Sequence, residues 1–120
     1  MKLIRLKAPG GLENLNLVEE DRPEPRPGEI LVRIRAGSLN FHDDMVVLGK
    51  IPCADGRVPM TDGAGEVIAL GDGVTEFKPG DSVVGTFFPY WLGGEMTAAT
   101  RRDIPGDTVD GYAREYVCLP

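Results

Sequence analysis

The chain has 120 residues, of which 42% are hydrophobic and 27% charged, and its net charge is −6 at pH 7. A chain of this length suits one compact domain, because two separate cores would each bury too little apolar surface. The acidic balance argues against nucleic acid and against anionic membranes as partners, since both attract basic patches. No stretch is apolar for long enough to cross a bilayer, so we expect no membrane partner.

Cysteine use adds a prediction about the compartment. Cys53 and Cys118 are the only two thiols, and they lie far apart in the sequence. This pattern predicts no disulfide framework, and it favours a reducing, cytoplasmic location.

The predicted elements are short and are separated by glycine and proline, which is typical of a mainly β domain. The chain has sixteen Gly and ten Pro, spread along the sequence rather than gathered in one block. In chain order, strands are predicted at 1–7, 15–20, 29–36, 63–70, 82–88 and 112–119, with irregular loops at 51–60 and 90–110.

The stretch 63–85 predicts a strand, a double turn and a second strand, and the other elements are organised around it. The apolar run at 67–70 is suited to a buried strand. The Gly-Asp-Gly sequence at 71–73 breaks that run, because glycine adopts a positive φ without steric cost. Val74 and Phe77 are predicted to fold back beneath the connection as apolar anchors.

One short helix is predicted, over residues 41–48. Asn40 is a suitable N-cap, and Asp43 and Asp44 are favourable near the positive end of the helix. Gly49 is suited to the position that follows the helix.

Several motifs occur in an order that resembles a known family. They are the strand EILVRIRA, the helix start NFHD, the segments DGAGEVIALGDGV and FKPGDSVVG, and the closing YAREYVCLP. Together they resemble the N-terminal domain of the medium-chain dehydrogenase/reductase family, over essentially the whole chain. The resemblance implies a GroES-like, alcohol-dehydrogenase-like partly open β-barrel with one or two short helices. Within the family, the chain is most similar to the zinc-independent branch, which includes quinone reductases and enone reductases.

This resemblance implies that one domain binds the substrate and another binds the cofactor. Residues 1–120 would form the substrate-side domain of an oxidoreductase that transfers hydride to quinones, enones or other carbonyl compounds. The cofactor, NADP or NAD, would be held by a Rossmann domain that this chain lacks. The Gly-Ala-Gly at 63–65 does not replace that domain, because Ile68 stands where a third glycine is needed and a strand follows instead of a helix. We therefore expect the chain alone to be inactive, to bind no cofactor and to self-associate weakly.

The expectation about metal depends on residue types. A catalytic zinc takes about three Cys, His or carboxylate ligands from the protein. In zinc-dependent relatives a Cys stands where this chain has Asn40, and a His-Glu pair stands at the position of Thr61 and Asp62. The Cys-rich zinc lobe of those relatives would fall within 90–110, which contains no Cys. We therefore predict no metal site.

The resemblance also marks candidate site residues. Asn40 would lie near the nicotinamide and the substrate, where its amide can donate to a carbonyl oxygen; N-capping is an equally weighted and compatible role. Phe41 would lie beside the nicotinamide end of the cofactor. His42, the only histidine, is a candidate acid or base, against the alternative that it merely pairs with Asp43, Asp44 or water. Asp43 is predicted to lie behind the active site.

Two alternatives stay open at this point. Tyr90 and Trp91 either line a substrate cleft or simply cover one end of the barrel. The chain itself could also be a stand-alone barrel that acts as a binding or assembly module, as co-chaperonins of this fold do, or part of an enzyme with alcohol dehydrogenase activity. Fold alone does not decide between these functions.

Overall fold

Two open antiparallel sheets make up the computed structural model, which describes all residues from 1 to 120. The smaller sheet pairs β1 with β2, and the larger one has the strand order β5-β4-β3-β6. The elements are β1 (Lys2–Leu6), a 3-10 turn (Leu12–Asn14), β2 (Leu15–Glu19), β3 (Ile30–Ser38), α1 (Phe41–Val47), β4 (Asp62–Leu70), β5 (Ser82–Val84) and β6 (Tyr116–Leu119). The mainly β, partly open architecture predicted from the sequence is confirmed. No helix is long and apolar enough to span a membrane.

Strand β3 is central because it pairs with both β4 and β6. Val32 of β3 lies opposite Val67 of β4 on one side and opposite Val117 of β6 on the other. All three valines are at most 1% exposed. Burying such a side chain contributes about 1.5–3 kcal/mol, so this row of valines holds the larger sheet to its core.

Tyr112 completes that core, and its side chain leaves no room for a larger residue at two glycine positions. Its side chain packs in the same buried cluster as the valines, and burial raises its pKa above the usual value. A methyl group on Gly63 would collide with the Tyr112 ring, and one on Gly85 would collide with its hydroxyl. Gly63 therefore serves packing within β4, which agrees with the prediction that the Gly-Ala-Gly segment is no dinucleotide fingerprint.

Two predicted strands were too long. Strand β5 ends at Val84, and the predicted continuation to residue 88 is wrong, because Gly85 donates the last ladder bond to Gly63 and the chain then turns away. Strand β6 begins only at Tyr116, because the N–H groups of Tyr112 and Ala113 donate to Met60 and Pro59 and the Ala113 carbonyl accepts from Ile4 of β1, away from the larger sheet.

The connection between β4 and β5 is only partly as predicted. Val74 packs against the buried cluster. Phe77 does not act as a buried anchor, because its side chain is 39% exposed. Gly73 and Gly80 both have positive φ, at 81° and 97°, as the predicted turns require.

Candidate functional site

Helix α1 begins immediately after β3, and its first turn carries most of the predicted site. Asn40 is the N-cap, with an extended backbone, and its N–H donates to Asp43 Oδ2 at 2.8 Å. This contact from the third helical residue back to the cap is one half of a capping box. Gly49, with φ of 72°, follows the end of the helix, so the predicted bounds are nearly correct.

Asp43 fixes the helix start to the segment that precedes β4. Its side chain is buried, and its second oxygen, Oδ1, accepts a hydrogen bond from the backbone N–H of Thr61 at 2.8 Å. One carboxylate therefore binds two backbone N–H groups, those of Asn40 and Thr61. At 4% exposed, Asp43 lies behind the helix start, and both of its oxygens are engaged within the chain.

The side chain of Asn40 reaches across to the same segment. Its Nδ2 donates to Thr61 Oγ1 at 2.9 Å and to Asp62 Oδ2 at 2.8 Å. An amide nitrogen has two hydrogens, so both are used within the chain. A substrate oxygen could receive one only in exchange for Thr61 or Asp62. The Thr61 bond is the easier one to give up, because bonds to a carboxylate are the stronger kind.

The residues at this position do not fit a catalytic zinc. Of Asn40, Thr61 and Asp62, only Asp62 supplies a ligand of the type that zinc prefers. No group of three or more His, Cys, Asp or Glu side chains lies close enough together to hold a metal ion. Burial raises the pKa of both thiols, Cys53 and Cys118, which disfavours the thiolate form that metals need.

His42 pairs with a residue that the sequence did not indicate. Its Nε2 lies 3.0 Å from Asp107 Oδ2, and its ring meets the edge of Phe87 with centroids 5.2 Å apart. The side-chain partner of His42 is thus Asp107, and neither Asp43 nor Asp44. Asp107 is 65 residues further along the chain, and no local pattern relates two such positions.

A row of aromatic rings extends from His42 along the loop after β5. Phe87 contacts Phe88 edge-on with centroids 4.7 Å apart, and Phe88 faces Trp91 in the same way at 6.3 Å. Trp91 is 42% exposed at the end of this row. We call His42, Phe87, Phe88 and Trp91 the aromatic row. It connects the helix start to the loop that the sequence marked as a candidate cleft.

Tyr90 and Trp91, the two candidate cleft residues, lie in different surroundings. Trp91 belongs to the aromatic row. Tyr90 lines a cavity of about 300 Å³ together with Tyr112 and Cys118. The guanidinium of Arg102 lies over the Tyr90 ring, 3.8 Å from its centroid. Phe41, next to Asn40, is 78% exposed and points away from the core.

Residues 26–120 match the model of the alcohol dehydrogenase GroES-like domain. The chain belongs to this family. It is the type of domain that stands at the N-terminus of medium-chain dehydrogenases/reductases, as the order of motifs implied.

The chain spans between 33% and 39% of the length of three proteins that it resembles. A zinc-type alcohol dehydrogenase-like protein of Schizosaccharomyces pombe is 37% identical over 113 residues, which cover 92% of this chain and 33% of that protein. A cobalt- and zinc-bound thermostable alcohol dehydrogenase from Pyrobaculum aerophilum superposes with a TM-score of 0.85 at 32% identity, covering 100% of this chain and 39% of that one. An NAD-dependent alcohol dehydrogenase gives a TM-score of 0.82 at 35% identity, covering 100% of this chain and 37% of that one.

Proposed function

We propose that this domain is the substrate side of an oxidoreductase that transfers hydride from NADPH or NADH to a carbonyl compound, quinone or enone without zinc. The observation that carries the proposal is the bridge from the Asn40 amide to Thr61 and Asp62. At the positions where zinc-dependent relatives place ligands, this chain places groups that bind one another directly. The partner in this proposal is a Rossmann domain, which would hold the cofactor against the start of α1.

The chain's own residues would orient the substrate and stabilise charge on its oxygen. A bound reduced nicotinamide would supply the hydride. Negative charge then develops on the substrate oxygen, and the Asn40 amide can donate to it by exchanging the neutral Thr61 bond while the Asp62 bond keeps the amide oriented. Such a preorganised donor stabilises a developing oxyanion more than it stabilises the ground state. The aromatic row begins at His42, two residues after Asn40, and would give the substrate an aromatic surface, and the exposed ring of Phe41 would contact the nicotinamide.

The main competing function is that of a zinc-dependent alcohol dehydrogenase, since a relative is of zinc type and a similar structure binds zinc. We expect the purified chain to hold no stoichiometric zinc after dialysis, because only Asp62 at the candidate position is a good ligand. Elemental analysis by mass spectrometry measures this. One zinc per chain surviving dialysis against a weak chelator would refute the proposal and favour the alcohol dehydrogenase function.

Cofactor binding provides a second test. The only β–α junction of the chain is β3–α1, where Leu39 and Asn40 stand between strand and helix, without the glycine-rich turn that binds a pyrophosphate. We therefore expect the 120-residue chain alone to bind neither NADPH nor NADH and to reduce no quinone or enone.

The chain supplies its own probe for that experiment. Trp91 is the only tryptophan, and it lies at the end of the aromatic row, so its emission reports on a ligand at this site. Saturable quenching at micromolar cofactor, or turnover above background at high protein concentration, would contradict the expectation. Sedimentation of the same samples tests the predicted weak self-association.

A further inference from the structure

The contact between His42 and Asp107 constrains the imidazole more than a surface ion pair would. Both side chains are largely buried, at 25% and 13% exposed. An ionised carboxylate can only accept a hydrogen bond, so Nε2 must donate the hydrogen. The neutral ring is thereby held as the Nε2–H tautomer. Nδ1 makes no hydrogen bond in the chain and is not among the fully buried atoms, so a ligand can reach it.

Asp107 is itself held in a short, well-connected turn. The turn is closed by hydrogen bonds from Asp107 N to Ile104 O at 3.2 Å and from Gly106 N to Val109 O at 2.9 Å. Gly106 packs directly on the backbone of Met60, where an added methyl group would lie 2.8–2.9 Å from Met60 atoms. Met60 is followed by Thr61, which binds Asn40 and Asp43. The partner of His42 and the partners of Asn40 are thus anchored to one stretch of backbone.

We propose that Asp107 is a positioning residue that fixes the tautomer and direction of His42, and that His42 carries a proton to the substrate oxygen bound by Asn40. This inference rests on the proposed function and names the source of the proton. His42 is the only imidazole of the chain. Phe87 meets its ring edge-on and limits rotation. The two oxygens of Asp43, on the same helix, are already bound to backbone N–H groups, so Asp43 does not compete for the ring.

In the reduction of an aldehyde or ketone, the carbonyl carbon would take up a hydride supplied by a bound reduced nicotinamide, which would thereby be oxidised. The electron pair of the C=O π bond moves to oxygen, and this oxygen takes the Nδ1 proton of the protonated imidazole. His42 is left neutral with its hydrogen on Nε2, which is the form that Asp107 stabilises. Water then returns a proton to Nδ1.

The tautomer can be measured directly, because one histidine gives one pair of imidazole ¹⁵N signals. In the 120-residue chain at alkaline pH, we expect long-range ¹H–¹⁵N correlations that show the Nε2–H form. Asp107→Asn should give a mixture of the two tautomers, because an amide can either donate or accept. Asp103→Asn, on the same loop and paired only with the exposed Arg102, is the matched control and should leave the spectrum unchanged. An Nδ1–H form in the wild type, or no change in Asp107→Asn, would overturn the proposal.

A kinetic experiment tests the proton role in a protein that joins this chain to a cofactor-binding domain. We expect Asp107→Asn to lower kcat at least about tenfold, since a positioned acid contributes about 10²–10⁴-fold and His42 itself remains. KM should change less than about twofold, and Asp107→Glu should recover part of kcat, whereas a merely structural contact would change both constants together. Unchanged kcat in Asp107→Asn would overturn the proposal. If the wild type reduces none of these substrates, the proposed function and the proton role both fail, while the spectra still decide whether the tautomer is fixed.

Discussion

Asn40→Ala is expected to lower kcat about a hundredfold or more in a protein that joins this chain to a cofactor-binding domain, because it removes the oriented donor for the substrate oxygen. The amide is already held by Asp62 at 2.8 Å, so it needs little reorganisation when charge develops. His42→Ala should lower kcat at least as much as Asp107→Asn, about tenfold, but less than Asn40→Ala does, because water can take over part of the proton transfer and cannot replace an oriented dipole. Steady-state kinetics on both variants measure the difference.

Asn40→Ala affects both the stability of the helix and the chemical step, and the experiment has to distinguish these two effects. Asn40 is also the N-cap of α1, and losing a cap costs about 1 kcal/mol of stability. Asn40→Ser keeps a capping side chain and cannot span the distance between Asp62 and a substrate. We therefore expect Asn40→Ser to recover stability but not turnover. If His42→Ala were the more damaging change, or if Asn40→Ser restored kcat, the roles of the two residues would have to be exchanged.

The sequence predicted those parts of the fold that depend on neighbouring residues. The start of α1 was readable because an N-cap such as Asn40 and an acidic residue such as Asp43 in the first turn are local signals. The glycine turns after β4 are local in the same sense. The lengths of β5 and β6 were not readable, because they are limited by Tyr112 and by residues 59–60, which are distant in sequence.

Some residues of the candidate site could likewise be found from the sequence, and others could not. Family resemblance singled out Asn40, Thr61 and Asp62 as equivalent to metal-ligand positions, and the structure brings these three residues into direct hydrogen bonds. Asp107 could not have been found, because its relation to His42 arises only when the turn at 104–109 packs on Met60. The same limit applies to Phe87, which the sequence presented as an ordinary strand residue and which instead contacts the His42 ring.

Asp43 shows how much of the site depends on one buried carboxylate. It binds the N–H of Asn40, which is partly buried, and the N–H of Thr61, which is buried. Asp43→Ala would leave both donors without an acceptor, and each unsatisfied buried donor costs about 1–3 kcal/mol. We therefore expect the free energy of unfolding to fall by about 3 kcal/mol, measured by urea denaturation as a lower midpoint with an unchanged slope.

The adjacent acid provides the matched control for that measurement. Asp44 lies in the same first turn of α1 but is exposed and makes no side-chain hydrogen bond. Asp44→Ala should therefore cost less than about 1 kcal/mol, which is the contribution of a carboxylate to the helix dipole alone. Asp43→Asn should fall between the two, because its amide can accept one of the two hydrogen bonds but presents N–H to the other donor. Equal losses in Asp43→Ala and Asp44→Ala would show that the dipole and not the bridge from Asn40 to Thr61 stabilises the helix start, and the preorganisation argued for Asn40 would then lack its support.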